Sequence, residues 1–159
     1  MPAPRLLFVC LGNICRSPTA EAVTRALAEA RGLPLSIDSA GTGDWHLGEP
    51  PDRRMRDAAA RAGYDLGDLR ARQVTADDFG RFDILYAMDR QNLRDLEALH
   101  PGGESAELRL FRGHDPEGGA GRAADVPDPY LEGGFDGVVR LIERTSTRLL
   151  DEMARDGLA

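Results

Sequence analysis

Lysine is missing from this sequence: all 20 of its basic residues are arginines. We read that as a trait of composition, with no function attached to it. Cysteine is scarce as well. With only Cys10 and Cys15 there is no disulfide framework, so a reducing, cytoplasmic setting is expected. No apolar run approaches the ~18 residues of a membrane span, which argues against membrane insertion. The short apolar run after Arg5 has no small-residue cleavage site and reads as a strand, not as a signal peptide. Secretion by a route that uses no signal peptide stays open. Positive charge is also in deficit. A net charge of −7 argues against a nucleic-acid partner, which would need a basic face to release counterions.

What is present fits one domain, expected over residues 1–159, long enough to bury a core. Short apolar runs bounded by turn residues predict strands at 5–10, 35–40, 83–88 and 107–111. Between them lie helical patterns. Val23, Leu27 and Ala30 share one face, as do Leu93, Leu96 and Leu99, and as do Phe135, Val139, Ile142, Leu149 and Met153. A further helix is expected within 51–63, stopped by Gly63, and the Gly/Pro-rich stretch 113–129 reads as a long loop. Strands alternating with helices imply parallel pairing with right-handed crossovers. The expected fold is therefore α/β: a doubly wound, four-stranded parallel sheet of flavodoxin or Rossmann type with helices on both faces. Ligands of such sheets sit at the carboxyl ends of the strands, where Cys10, Ser39 and Asp89 all fall.

The segment "VCLGNICRSPTAEAV" carries the chemistry. Cys10 ends a strand, five residues follow, and Arg16 precedes Ser17, a candidate helix N-cap, and Pro18 at the first helical position. A strand–loop–helix of this kind aims backbone N–H groups at an anion. Gly12 and Asn13 are residue types that tolerate the left-handed backbone such a nest requires. The same donors stabilise a thiolate at Cys10, to which Ser17 could add a hydroxyl. Arg16 supplies a planar fork for two phosphate oxygens. A nucleophile inside an anion cradle points to phosphoryl transfer through a cysteine intermediate. The plain alternative is a buried strand-end cysteine beside a surface arginine. An ester oxygen leaves poorly as an anion, so a proton donor is needed. Asp128 in "VPDPYLEGG" is the best placed, with Asp125 and Asp115 left open by pattern alone.

That segment, together with "DSAGTGDW", "ARQVTADDFGRFDILYAMDRQNLRDL" and "PDPYLEG", closely resembles the low-molecular-weight protein tyrosine phosphatases over roughly residues 5 to 150. The resemblance implies a metal-independent hydrolase that cleaves phosphotyrosine monoesters, with phosphotyrosine-containing proteins as partners. Phosphate and other oxyanions are the expected inhibitors, and no cofactor is required. By the same resemblance Cys10 is the nucleophile, Arg16 binds phosphate, and the backbone amides of Leu11, Gly12, Asn13, Ile14, Cys15 and Arg16 complete the cradle. Asp128 is the general acid, Ser17 assists the thiolate, and Asn13 holds a left-handed turn bonded by Ser39. Asp89 orients the arginine, while Trp45 and Tyr130 wall the substrate ring. The resemblance also implies a redox role for Cys15. A loop curled around phosphate brings its ends close enough to form a disulfide with an oxidised Cys10.

Two departures from the family pattern stand out. Leu131 replaces the second of a frequent Tyr-Tyr pair, and Leu69 and Arg70 stand where mammalian members carry a histidine. Arsenate reductases of the same fold need further cysteines, which this chain lacks. Arginine phosphatases of the family typically carry threonine where Ile14 stands, and an apolar residue there favours an aryl ester. A phosphate-binding module without turnover would have little need of both Arg16 and Asp128. His46, His100 and His114 lack metal-ligand spacing and read as solvated loop or helix-end residues.

Overall fold

The computed structural model describes residues 3–103 and 105–158; residues 1, 2, 104 and 159 of the expected domain lie outside the described residues. Four strands, β1 (Arg5–Cys10), β2 (Ser36–Gly41), β3 (Ile84–Ala87) and β4 (Glu107–Leu110), form one parallel sheet in the order β2-β1-β3-β4. Because β1 is central and buried on both sides, it reads as a continuous apolar run and not as an alternation. Its odd and even positions still divide. Leu6, Phe8 and Cys10 join one core, while Leu7 and Val9 join the other.

The first core lies under α1 (Arg16–Ala30) and α6 (Phe135–Met153), with Phe8 stacked on Tyr86 and edge-on to Phe111. The second lies under α3 (Asp78–Arg81) and α4 (Arg90–Leu99). A third, smaller cluster sets α2 (Arg53–Arg61) beneath the loop that follows β1, through Met55, Ile14 and Cys15. A short helix, α5 (Pro129–Glu132), closes the far side of that loop.

Several expectations need correction. The buried face of α1 is Ala20, Val23, Thr24 and Ala28, with Leu27 half-buried, whereas Ala30 is exposed. The chain turns back there, and Leu33, bonded through its N–H to Ala28 O, covers that end of the helix instead. Leu99, in the last turn of α4, is likewise exposed. The loop after Leu110 is more ordered than its composition suggests. It contains two 3₁₀ turns, Phe111–His114 and Gly121–Ala124, and is tied down by the buried Asp115. His114 is no solvated residue: it bridges the Tyr86 hydroxyl and Glu152, and burial pushes the Tyr86 phenol up to about 12.

Candidate active site

The carboxyl ends of β1, β2 and β3 open on one cleft. Cys10 pairs in register with Gly41, and the chain of β1 continues into the loop 11–15 before α1 begins. Gly41 has to be a glycine because a Cβ there would sit 2.7 Å from Leu11 O and 3.1 Å from the Asn13 amide nitrogen. The loop therefore lies against the backbone of β2. At its turn Asn13 adopts φ 56°, the single described non-glycine residue in the left-handed region. Gly12 does not adopt it.

The helix begins two residues earlier than the sequence suggests, at Arg16 and not at Pro18. Cys15, not Ser17, occupies the N-cap, and it makes no side-chain capping bond. Ser17 is already helical, and its hydroxyl lies 3.0 Å from the Cys10 sulfur. Asn13 N–H also points at that sulfur, at 3.3 Å. Among the described residues, no backbone acceptor takes the N–H groups of Leu11, Gly12, Ile14 and Cys15. Those groups belong to the loop between Cys10 and the positive end of a 15-residue helix, the arrangement that binds an oxyanion.

Arg16 is only 3% exposed, yet it is charge-balanced. Its Nη1 donates to Asp89 at 2.7 Å and to Val126 O at 3.0 Å, and its Nη2 lies 3.7 Å from Asp128. Burial works against the guanidinium charge, but the Cys10 sulfur and the Asp89 bond outweigh it and raise its pKa. Asp89 is the N-cap of α4, accepting from Asn92 N–H, so its carboxylate is fixed before it meets the arginine. Asp128 in turn caps α5 through Tyr130 N–H at 3.1 Å.

Asp125 and Asp115 are occupied elsewhere. Burial tends to raise the Asp125 carboxyl, but bonds from Arg90 hold it below the usual range. Asp115 accepts from Arg112, Arg144 and Glu117 N–H, which overcome its burial and hold it at about 2. Neither lines the cleft.

The cleft encloses about 180 Å³ between Cys10, Leu11, Gly12, Ile14, Cys15 and Arg16 on its floor and Trp45, His46, Asp128, Tyr130 and Leu131 on its rim. That is less than the ~300 Å³ at which drug-sized pockets begin, enough for one ring and one oxyanion. Trp45 is exposed over 67% of its surface, which excludes a core role. Its indole folds over Gly43, where any Cβ would overlap the ring. Tyr130 stands opposite, half-exposed, with the Arg54 guanidinium 5.5 Å from its ring centroid.

Behind the loop lies a bracing network that sequence reading only partly reached. Asn13 Nδ2 donates to Ser17 and to Ser39, at 2.8 and 3.0 Å. Its Oδ1 accepts from Arg72 N–H at 3.0 Å, and the Arg72 guanidinium clamps Asp38 and the buried Asp78. Glu21, buried, accepts from Ser39. Arg72 stands inside the recognised "ARQV" stretch, but its partners are distant in the chain; Glu21 is one helical turn beyond Ser17, and only that spacing hinted at it. Leu69, one of the two residues that depart from the pattern noted above, packs against the cluster around α2.

A profile of the low molecular weight phosphotyrosine protein phosphatase family matches residues 5–158. A low molecular weight protein-tyrosine-phosphatase of Streptomyces coelicolor is 48% identical over 151 residues, covering 92% of this chain and 91% of its own. Among solved structures, YfkJ from Bacillus subtilis superposes with a TM-score of 0.90 at 36% identity, over 99% of this chain and 98% of that one. The Drosophila arginine phosphatase DARP superposes with a TM-score of 0.83 at 32% identity, over 93% and 96% of the two chains. With the loop, the sheet and the match in agreement from β1 to the end of α6, this chain belongs to the low molecular weight phosphotyrosine protein phosphatase family.

Proposed function

We propose that this protein hydrolyses aryl phosphate monoesters of the phosphotyrosine type through a phosphocysteine at Cys10. The observation that carries the reading is the cleft itself: the Cys10 sulfur, the buried Arg16 and the Asp128 carboxyl face one volume lined by unpaired loop amides. In the first step the thiolate attacks phosphorus, the S–P bond forms and the P–O bond to the ring breaks. Asp128 delivers its proton to the departing aryl oxygen. Arg16 and the loop amides hold the three phosphoryl oxygens, and their fixed orientation favours the charge distribution of the transition state. In the second step water attacks phosphorus, Asp128 takes its proton, the S–P bond breaks, and phosphate leaves behind a thiolate. Ser17, 3.0 Å from the sulfur, stabilises that leaving thiolate.

Trp45 and Tyr130 form the slot for the ring, and the apolar Ile14 in the floor disfavours a phosphoguanidinium. Cys15, also in the floor, serves in this reading as the partner that protects an oxidised Cys10. The natural partners are phosphotyrosine-containing proteins, with phosphate and related oxyanions as competing ligands. No described helix is long and apolar enough to cross a membrane. Phosphate release from an aryl phosphate, with and without chelator, tests the reading. Turnover should survive the chelator and vanish in Cys10→Ala and nearly so in Arg16→Ala. Full activity in Cys10→Ala would overturn the mechanism.

A further inference from the structure

Beside the cleft lies a second depression, of about 280 Å³, that the reaction as written does not use. It shares Trp45 and Leu11 with the cleft, so the two meet at the indole. Val74 and Leu99 extend its apolar wall. Leu11, Trp45 and Leu99 stay exposed over 40%, 67% and 37% of their surfaces, and all three converge here. Asp95, in α4, supplies the one formal charge in the lining. Its Oδ1 accepts from Gln91 Nε2 at 3.0 Å, and no described residue donates to its Oδ2.

Backbone groups are free there as well. Gly41 N–H donates to Arg72 O and Val74 N–H to Gly41 O, both at 2.8 Å, in a parallel bridge of Gly41 with Gln73. In that pattern Gln73, which also lines the depression, turns its own N–H and C=O away from β2. Neither finds a partner among the described residues, so an extended peptide has an edge to pair with. Such a chain advances ~3.3–3.6 Å per residue, and one or two residues carry it from the cleft past the indole. An apolar side chain arriving there would cover the Asp95 oxygen without giving it a donor, which is costly. An acidic one would meet Asp95 as a like charge. A lysine or arginine satisfies both surfaces: its methylene stem lies on Trp45 and Leu99 while its cation reaches the carboxylate.

We infer that this depression is a subsite for a basic side chain one or two residues from the phosphotyrosine, and that Asp95 is the residue that selects it. This rests on the phosphotyrosine reading of the cleft and adds to it a preference for the sequence around the phosphate. Asp95 lies outside the cleft lining, so a bare aryl phosphate does not meet it.

The test measures kcat/KM for phosphotyrosyl peptides in which one lysine, norleucine or glutamate is moved through the nearest positions on either side of the phosphotyrosine. At one of them lysine should exceed norleucine by about three- to five-fold and glutamate by about ten-fold, and added salt should shrink both ratios. Asp95→Asn should bring lysine down to norleucine, and Asp95→Lys should make glutamate the preferred residue at that same position. Leu99→Ser should lower lysine and norleucine together. In each variant kcat/KM for a bare aryl phosphate should change less than about two-fold, with a native thermal melt. Glu29→Lys, exposed near the far end of α1, makes the same change of net charge and should leave the peptide preference alone. Equal rates for lysine and glutamate at every position would overturn the proposal. So would a shift by Glu29→Lys as large as that by Asp95→Lys, or, should the Asp95 variants not fold, an unchanged lysine rate in Leu99→Ser. If wild type releases no phosphate from the aryl ester, the reading of the cleft fails instead. The same peptides titrated onto the protein, read by the emission of its single tryptophan, Trp45, then still report whether the subsite prefers lysine.

Discussion

Three aspartates lie between residues 113 and 129, and their neighbours give them different work. Asp115 and Asp125 are saturated by arginines, whereas Asp128 faces the cleft with one oxygen on Tyr130 N–H and the other towards Arg16. Asp128→Ala should therefore lower aryl phosphatase activity by about 10²–10⁴-fold, and the loss should shrink as the leaving group improves. Asp125→Ala should cost far less; if it is the more severe variant, the acid is misassigned. Ile14, in the cleft floor, is the residue to exchange for specificity. Ile14→Thr should raise the ratio of phosphoarginine to phosphotyrosine turnover, and an unchanged ratio would place specificity outside the loop. Burial, with Asp52 and Cys10 nearby, pushes the Cys15 thiol up, so it stays protonated. Peroxide should convert Cys10 to a sulfenic acid, which Cys15 condenses with, releasing water and forming a disulfide. After a dithiol, wild type should recover its activity and Cys15→Ser should recover far less.

At the scale of elements, the four strands lie within a residue or so of their sequence-based bounds; the runs of β1, β2 and β3 are bounded by Gly, Pro or Asp, while that of β4 ends at Phe111 before Arg112. The site was legible for a related reason: a strand, a seven-residue span and a helix keep Cys10 and Arg16 in one local unit. What stayed hidden joins distant parts of the chain. Arg72 reaches Asn13, and Glu21 reaches Ser39, across separations that no local pattern encodes. The cap of α1 was misread because Ser17 has a better partner in the Cys10 sulfur than in its own helix. The segment after β4 looked loose for want of any sign of Asp115's partners. Its carboxyl is held at about 2 against an ordinary 3.8, worth about 2 kcal/mol at neutral pH. Because the folded value is the lower one, this stability is complete above about pH 4 and is lost as pH falls through about 2. Asp115→Asn should melt lower at pH 7 and lose that part of the acid sensitivity; equal melting curves would mean the arginines hold nothing.

At the scale of the whole molecule, the direction of the elements gives the protein two unlike poles. The strands run towards the cleft, and α1 and α6 run away from it. Pro4, beside Ser36, and Asp151, joined to Arg31 at 2.7 Å, therefore lie together at the pole farthest from Cys10. Anything attached beyond either residue, whether a surface, a fluorophore or another folded protein, would be carried on the side away from the cleft. Fusions at both places should leave kcat/KM unchanged both for a large phosphorylated protein and for a small aryl phosphate. An equal insertion in the exposed segment 47–50, on the rim, should spare the small substrate and obstruct the large one. The fold thus separates where the enzyme can be held from where it must remain open.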